Sequence, residues 1–371
     1  MRVRIGELRL TDSAPVMLAA ARGGFAELGL EAEVSVEPSW ANIADKLTYG
    51  LLDAAVMLPP LALAAAAGLG RPPAPIVVPM GLSRGGNTVV LGPDAAAAAV
   101  GRGAPVLQAG RALLAWMRAQ PTPPRIAVVH ELSTHNLLLR YWLAACGGDP
   151  DRDMRTVVVP PARVVCELAA GRIAGFCAGA PWGEVAEQEG AGSVLLGTSS
   201  IWRGHPEKCL ALAAPWAARA PDAARALSRA LLRAARACDD PAESASLATL
   251  LADPAGLALP EAASRAVLPG GDAIEPVRFQ AGWFPWRSHA DWFLGQIRRW
   301  GWLDGDGRAI ADAVYRPDLL HEAAILEGLP WPEADRKVEG GHQEAWTMAA
   351  RPRPLAMGAD GFCDGRVFGL D

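Results

Sequence analysis

Residues 34–57, VSVEPSWANIADKLTYGLLDAAVM, contain the end of one strand, a helix and a second strand in close succession. Ser39 can cap a helix that runs from Ala41 to Tyr49, and the following glycine can end it. The run from Leu52 to Met57 then predicts a buried strand. Because Trp40 stands between a strand end and a helix start, its indole is placed to cover a small pocket and to donate one N–H.

The segments on both sides extend this alternation of strands and helices. The pattern predicts a strand from Val3 to Leu10, a helix from an Asp12–Ser13 capping pair to Gly29, and a strand from Glu31 to Val36. A further helix is predicted from Leu61 to Ala67. Two βαβ units of this kind predict an α/β lobe with a mostly parallel sheet.

A second segment, residues 87–200, repeats the alternation. Its predicted elements are strand 125–129, helix 133–146, strand 156–159, helix 162–170 and strand 173–177. Within it, residues 157–177 repeat the pattern of residues 34–57: a strand, a turn with proline, a helix, a glycine and a short strand. Two similar lobes that face each other would bring both repeated turns to one cleft. Helical patterns dominate the later chain, over 222–237, 241–251 and 289–300.

The composition is that of an ordinary globular protein, with 371 residues, 51% of them hydrophobic and 20% charged, and a net charge of −5. This acidic balance argues against direct contact with nucleic acid or with an acidic membrane surface. No apolar run is long enough for a membrane helix. The first ten residues contain no apolar signal region, so we expect a cytoplasmic protein if Met1 is the native start. The six cysteines lack CxxC spacing, which predicts reduced, buried thiols.

Three positions accompany Trp40 as candidates for binding a small anion. His135 stands in the first turn of a predicted helix, where unpaired N–H groups and the helix dipole favour an anion. Gly179 lies in a turn after a strand, where a backbone N–H can approach a ligand. Lys208 begins an alternating apolar run and can supply a point charge. Each position has an ordinary alternative: a core tryptophan, a helix-start histidine without a ligand, a simple turn and an exposed lysine.

The sequence lacks the common motifs of catalysis and metal binding, namely HExxH, GxSxG, the P-loop and GxGxxG after a strand. Cys177 and His135 could meet as nucleophile and base, but no third residue that would orient them is identifiable. No paired carboxylates are expected near the cleft, which argues against a glycosidase and a calcium site. We therefore expect a protein that is not an enzyme and that binds neither a cofactor nor a metal.

Five stretches in fixed order resemble the nitrate and bicarbonate solute-binding family of ABC transport systems, over residues 3–330. They are TDSAPVMLAAARGGFAELGL, EPSWANIADKLTYGLLDAAVMLPPLALAAAAGLG, STHNLLLRYWLAACGGDPDRD, VVVPPARVVCELAAGRIAGFCAGAPW and WRGHPEKCLAL. The resemblance implies a type II periplasmic-binding-protein fold, in which two α/β lobes clamp a ligand. We expect lobe I to comprise residues 1–88 and 201–330, and lobe II residues 89–200. Residues 331–371, rich in Gly, Pro and charge, are expected to wrap over the surface.

The resemblance also implies five binding positions for nitrate or nitrite: Trp40, Asn87, His135, Gly179 and Lys208. A planar anion with three oxygens needs several donors and one balancing charge, which these residues would supply. Two departures from the family pattern stand out. Asn87 replaces the usual glutamine, which could shift the preference between nitrate and nitrite. Ala180 replaces the usual acidic residue, which disfavours a bicarbonate site with calcium.

The expected lack of an export signal favours the cytoplasmic NasS-type branch of the family, the nitrate and nitrite sensors. Resemblance to that branch implies a protein partner, a NasT-like ANTAR antiterminator that binds RNA and that the sensor holds inactive until the anion arrives. The alternative is the solute-binding component of an ABC transporter for nitrate, nitrite, bicarbonate or cyanate. A pyrimidine-forming enzyme related to thiamine synthesis is disfavoured, because its histidine- and cysteine-rich active site is not evident.

Overall fold

The structure is a computed structural model that describes residues 1–369. Its strands are β1 (Arg2–Glu7), β2 (Glu31–Val36), β3 (Ala54–Met57), β4 (Ile76–Gly85), β5 (Asn87–Leu91), β6 (Arg125–Val128), β7 (Arg155–Val158), β8 (Gly175–Gly179), β9 (Ser193–Gly197), β10 (Pro206–Ala213), β11 (Val277–Arg278), β12 (Trp331–Pro332), β13 (Trp346–Met348), β14 (Ala350–Arg351) and β15 (Leu355–Met357). Its helices are α1 (Ala14–Ala21), α2 (Trp40–Thr48), α3 (Pro59–Ala67), α4 (Pro93–Ala98), α5 (Val106–Ala119), α6 (Thr134–Ala145), α7 (Pro150–Asp153), α8 (Val164–Ala169), α9 (Trp182–Gln188), α10 (Ala214–Arg219), α11 (Pro221–Cys238), α12 (Ser244–Ala252), α13 (Glu261–Val267), α14 (Arg287–Arg299), α15 (Arg308–Val314) and α16 (His321–Leu326).

The first lobe is built on a six-stranded sheet with the order β11-β4-β10-β3-β1-β2. β1 lies parallel to β2 and β3, as βαβ units require. β10 lies antiparallel between β3 and β4, and β11 is antiparallel to β4. The expectation of a mostly parallel sheet is therefore wrong for this lobe. The sheet is mixed because the chain returns from the second lobe as β10, which runs against both of its neighbours.

The second lobe contains a five-stranded sheet with the order β7-β6-β8-β5-β9. β6 lies parallel to β7 and β8, whereas β5 is antiparallel to β8 and β9. A single buried hydrophobic cluster contains residues of both lobes, among them Trp40 and Leu137. The prediction of two α/β lobes of the periplasmic-binding-protein type is confirmed.

The chain passes between the two sheets from β4 to β5 and from β9 to β10. Gly85 and Gly86 in the first crossing have φ angles of +66° and +79°, a region that glycine adopts without steric cost. In the second crossing, Ser199 donates from its hydroxyl to Glu275 at 2.5 Å and from its backbone N–H at 3.3 Å. A Cβ at Gly85 would lie 2.8 Å from the same carboxylate. Both crossings therefore meet at Glu275.

The C-terminal segment does more than wrap over the surface as expected, because part of it is buried against other elements. The ring of Phe362 lies 5.0 Å from that of Trp202 and 5.8 Å from that of Trp292. Asp364 accepts a hydrogen bond of 2.8 Å from the hydroxyl of Tyr141 in α6. The predicted extension includes residues 370 and 371, which lie outside the described residues, and the predicted lobe boundaries stay a prediction.

The elements predicted over residues 31–57 are all present, although the strand predicted from Leu52 begins at Ala54, and the helix predicted to reach Gly29 is shorter. β2 has the predicted bounds, and α2 begins and ends one residue earlier than predicted. α1 ends at Ala21 because the chain turns at Gly23, which has a φ of +70°. Ser13 does not cap α1 with its side chain, since its hydroxyl donates to the carbonyl of Leu8 at 2.9 Å.

All six cysteines have free thiols, but Cys166 is exposed, contrary to the expectation of buried thiols. Burial raises the pKa of the Cys177 thiol, so little of it is present as the thiolate that a nucleophile requires. Over residues 1–369, the structure contains no helix with both the length and the apolar character that crossing a bilayer demands.

Candidate anion-binding site

The five predicted ligand positions come together where the two lobes meet. Trp40 is the first residue of α2, and Lys208 lies in β10. Across the cleft, Asn87 begins β5, His135 lies in the first turn of α6, and Gly179 ends β8. The four residues other than the glycine are at most 1% exposed. The structure therefore gathers these residues in one buried cleft, and their role in binding stays a prediction.

Serine caps fix the starts of the two helices that carry the tryptophan and the histidine. Ser39 accepts a hydrogen bond of 3.2 Å from the N–H three residues later, and Ser133 accepts the equivalent bond at 3.1 Å. These caps lie one residue before Trp40 and two residues before His135. The two side chains therefore leave their helices at defined points beside the cleft.

Lys208 brings a positive charge into the cleft and lies between two carboxylates. Its Nζ is 3.2 Å from Oδ2 of Asp12 and 2.5 Å from Oε1 of Glu207. It also lies 5.6 Å from the centre of the Trp40 ring, within the range of a cation–π contact. Burial alone would lower the pKa of Lys208, but the two carboxylates raise it above its ordinary value. The pairing keeps the ammonium charged in an interior where an unpaired charge would be costly.

Glu207 contacts three of the predicted ligand-binding side chains. Its Oε2 accepts a hydrogen bond of 2.5 Å from Nδ2 of Asn87, and its Oε1 pairs with Lys208. Nε2 of His135 lies 3.5 Å from the same Oε1. Burial raises the pKa of Glu207 to about 7, although the charge of Lys208 acts against this shift. The Glu207 carboxyl is therefore easier to protonate than an ordinary glutamate.

A β-bulge in β10 directs the neighbouring side chains Glu207 and Lys208 toward the same cleft. Pro206 pairs with Arg84 and Lys208 pairs with Ser83, so two steps along β10 match one step along β4. In a regular strand, adjacent side chains point to opposite faces. The extra residue breaks this alternation. Both members of the ion pair can therefore reach the cleft from consecutive positions.

Several buried polar atoms of the cleft have no hydrogen-bond partner within residues 1–369. They are Oγ1 of Thr11, Nε1 of Trp40, Oδ1 of Asn87, Oγ1 of Thr134 and both ring nitrogens of His135. Burial, assisted by the nearby positive charge of Lys208, lowers the pKa of His135 well below its ordinary value. The imidazole is therefore neutral and has one N–H to donate. Because buried polar groups are normally paired, this concentration of unpartnered atoms indicates a place for a polar ligand.

Asp12 and Glu207 are site residues that the sequence did not reveal, and the expectation of a cleft without paired carboxylates is wrong. Asp12 was expected to cap a helix, but its carboxylate accepts a hydrogen bond from Ser83 and faces Lys208. Strand alternation assigns Glu207 to the face opposite Lys208, and only the bulge reverses this. Both residues lie inside the stretches that carry the family resemblance, which is the signal that could have identified them.

The two carboxylates hold an ammonium group between them. In the part of the chain that the structure describes, no cluster of three or more histidine, cysteine, aspartate or glutamate side chains has the arrangement of a metal site. Lys208 contributes donors only, so this arrangement suits an anion with oxygen acceptors.

Direct contacts between the lobes close the cleft. The N–H of Thr11 donates to the carbonyl of Ala180 at 3.0 Å. The indole N–H of Trp182 donates to the carbonyl of Arg9 at 3.1 Å. Because each bond joins a residue before α1 to a residue after β8, the pair fastens the first lobe to the second.

The two turns of the internal repeat face each other beside the closed cleft. A cavity of about 320 Å³ lies between residues 36–38 of the first lobe and residues 161–162 of the second. Both repeated turns line this cavity, but none of the five predicted ligand positions does, so a ligand cleft shared by the turns stays a prediction.

The fold and the cleft together define a class of protein. Two α/β lobes with a buried, polar site at their interface are the arrangement of a solute-binding protein of the periplasmic-binding-protein type. The chain belongs to the NMT1-like family, whose sequence model matches residues 1–252.

Similar proteins carry names that refer to small anions. The chain is 36% identical over 357 residues to the nitrate import ATP-binding protein NrtC of Synechocystis sp., covering 91% of this chain and 51% of NrtC. It is 37% identical over 344 residues to the bicarbonate transport ATP-binding protein CmpC of Synechococcus elongatus, covering 89% and 50%. It is 31% identical over 350 residues to the nitrate/nitrite binding protein NrtA of Synechocystis sp., covering 88% and 77%. The chain thus spans about half the length of NrtC and CmpC.

A solved structure agrees with this grouping. The periplasmic nitrate-binding protein NrtA from Synechocystis PCC 6803 superposes with a TM-score of 0.83 at 28% identity, covering 99% of this chain and 95% of that chain. The predicted resemblance to the nitrate and bicarbonate solute-binding family is confirmed, and the names of the relatives support binding of a small anion. Membership of the cytoplasmic NasS-type branch stays a prediction.

Proposed function

We propose that this chain binds nitrate or nitrite in the cleft between its lobes and acts as a binding protein without enzymatic activity. The observation that carries the proposal is the group of unpartnered buried polar atoms around the Lys208 ammonium. A small oxyanion would provide acceptors for the donors among these atoms, namely the indole N–H of Trp40, the threonine hydroxyls and one ring N–H of His135, in charge-assisted hydrogen bonds. The names of NrtA and NrtC, which refer to nitrate, agree with this ligand.

Each of the five positions has a distinct role in the proposed complex. Lys208 balances the charge of the anion, and Trp40 covers it and donates its indole N–H. The neutral imidazole of His135 and the amide of Asn87 add donors from the second lobe. Gly179 lets the backbone approach, because β8 pairs it directly with Asn87 of β5. Donors from both lobes would therefore converge on one anion only when the lobes are closed.

Titration calorimetry with nitrate, nitrite and bicarbonate tests the proposal. We expect saturable binding of nitrate or nitrite at one site per chain, with bicarbonate weaker. Binding of bicarbonate alone would contradict the proposed ligand and would bring the chain closer to the function that the name of CmpC describes.

We infer that this binding serves sensing in the cytoplasm, with a NasT-like ANTAR antiterminator as the protein partner. The support is the chain's membership of the family to which the NasS-type sensors also belong, together with a fold whose closure can be linked to a ligand. An anion shifts such an equilibrium only if its affinity differs between the open and closed forms. Size-exclusion chromatography of the mixed proteins, with nitrate titrated in, tests this role. We expect the complex to dissociate, and a complex that persists at saturating nitrate contradicts release.

The second candidate is the solute-binding component of an ABC transporter, which the name of the periplasmic nitrate-binding protein NrtA favours. The two candidates share the anion site and differ in where the chain works. The genomic sequence upstream of Met1 distinguishes them, because a basic and apolar leader in frame with the chain directs export. Finding such a leader would contradict the sensing role and support transport.

A further inference from the structure

We propose that Glu207 is an internal ligand of the anion site, and that a monovalent oxyanion replaces its carboxylate contacts while Glu207 takes up a proton from solvent. This inference rests on the proposed function, since it concerns the same cleft. It adds a regulating residue and a limit on the charge of the ligand.

The contacts of Glu207 are those that an oxyanion would need. Its two oxygens are engaged by the amide of Asn87 at 2.5 Å and the ammonium of Lys208 at 2.5 Å, with the imidazole of His135 3.5 Å away. A carboxylate is itself planar, anionic and an acceptor through two oxygens, so it resembles nitrate and nitrite. An arriving anion therefore competes with Glu207 for the same donors.

The charges of the cleft then favour a proton on Glu207 when an anion is bound. With Glu207 ionised, the two carboxylates Asp12 and Glu207 already outweigh the single charge of Lys208. A bound nitrate would add a further negative charge in a fully buried place, where like charges repel strongly. Protonation of Glu207 returns the net charge of the cleft to its value before binding. It also removes the charged competitor for the donors.

Several elements around Glu207 carry titratable or charged groups. They are Asp12 before α1, Arg84 of β4, which pairs with Pro206, His135 of α6, Cys177 of β8, His205, Lys208 and Cys209 of β10 and its approach, and Glu275 at the crossings. Burial lowers the pKa of His205 to about 4 and that of His135 further below its usual range, so neither accepts the proton near neutral pH. Of the two carboxylates that pair with Lys208, Glu207 is the one that also contacts Asn87 and His135.

The same arrangement restricts the ligand to monovalent anions. A dianion such as sulfate would leave the cleft with one more negative charge even after Glu207 is protonated. Among the residues that the structure describes, neither Asp12 nor Glu207 pairs with a second lysine or arginine, because both carboxylates pair with Lys208. We expect nitrate and nitrite to bind and sulfate to be excluded.

Calorimetry of the full chain with nitrate, in two buffers of different ionisation enthalpy between pH 6 and pH 9, measures the protons taken up on binding. For the unaltered protein we expect uptake that approaches one proton per nitrate on the alkaline side of the Glu207 pKa of about 7. Linkage then makes Kd rise by up to about tenfold per pH unit above neutral and level off below it. Nitrate itself stays ionised throughout, so the slope reports a group of the protein.

The matched variants are Glu207→Gln and Glu184→Gln. Glu184 in α9 also has a pKa that burial raises to about 7, but the charges that influence it are Glu187, Arg102 and Asp272, away from the cleft donors. We expect Glu207→Gln to bind nitrate with a constant Kd and no proton uptake, and Glu184→Gln to behave like the unaltered protein. Uptake that persists in Glu207→Gln overturns the inference.

If Glu207→Gln does not fold, measurements on the unaltered protein alone still test the role of Glu207. Nitrate binding with a pH-independent Kd and no uptake overturns the role of Glu207 and leaves the proposed function standing. Failure to bind nitrate or nitrite at every pH overturns both.

Discussion

Lys208 is a buried cation that both pairs with the protein and, in our proposal, balances the ligand. Replacing it by alanine leaves Asp12 and Glu207 buried without their partner. We expect Lys208→Ala to weaken nitrate binding by about 2–5 kcal/mol, the usual cost of truncating one partner of a buried charge pair. Asn87→Ala removes a neutral amide donor to the anion and should cost roughly 1.5 kcal/mol, the lower end of the range for a hydrogen bond to a charged group. Calorimetry on both variants, after a check of their thermal unfolding, measures the difference, and equal losses would mean that another group balances the charge.

Trp40 presents an indole N–H that has no partner within residues 1–369. Trp40→Phe keeps the apolar wall and removes only this donor. A hydrogen bond to a charged ligand contributes roughly 1.5–3 kcal/mol, so we expect Kd to rise about tenfold or more. Trp300→Phe is the matched control, because the indole N–H of Trp300 is also unpartnered but its ring stacks on Arg140. A similar loss in both variants would show that the effect is not local to the cleft.

The helices α2 and α6 begin at serine caps that position ligand side chains. Removing either hydroxyl leaves a helix N–H without its partner. We expect Ser39→Ala and Ser133→Ala each to lower the free energy of unfolding by about 1 kcal/mol. The measurement is denaturant unfolding. Ser246→Ala in α12 provides a control at an exposed serine that is not a cap, with an expected change within about 0.5 kcal/mol. Unchanged stability in both cap variants would show that these bonds do not hold the helices.

Elements with strong local signals could be predicted from the sequence, whereas the detail of β10 could not. The bounds of β2 and the capped start of α2 follow from alternation, a serine cap and a glycine stop, all of which act over a few residues. The bulge at Glu207 depends on the pairing of β10 with β4, which lies far away in the chain. Because a single extra residue reverses the direction of a side chain, Lys208 could be identified while Glu207 was missed.

For the whole molecule, the number and class of the lobes were predictable, but the contacts between segments that lie far apart in the chain were not. Alternating strands and helices identify α/β lobes, and the repeat of residues 34–57 in residues 157–177 predicted their facing turns. The antiparallel return of β10 and the packing of Phe362 beside Trp202 join segments that carry no mutual signal in the sequence. Asp12 could not be assigned to the site for the same reason, because only a tertiary contact brings it to Lys208.

The bond from the indole of Trp182 to the carbonyl of Arg9 joins the two lobes in this structure. Trp182→Phe should favour the open form, because only the closed form makes this bond. A neutral hydrogen bond contributes about 1 kcal/mol, which corresponds to roughly fivefold weaker apparent binding of nitrate. Small-angle X-ray scattering without ligand should show a larger radius of gyration.

Trp142→Phe is the matched control for closure, because its indole donates to Val106 at 2.9 Å within the second lobe. We expect this variant to lose stability without opening the cleft. Equal nitrate affinity of Trp182→Phe and the unaltered protein would argue that the interlobe bond does not contribute to the closed form.

A crystal structure of the chain grown with nitrate tests the proposed site by locating the anion. We predict nitrate between the lobes, with oxygens within hydrogen-bond distance of Nζ of Lys208, Nε1 of Trp40 and a ring nitrogen of His135, and with the Glu207 carboxyl moved away from at least one of its present donors. Nitrate bound elsewhere, or a cleft in which Glu207 keeps all its contacts at saturating nitrate, would contradict the account.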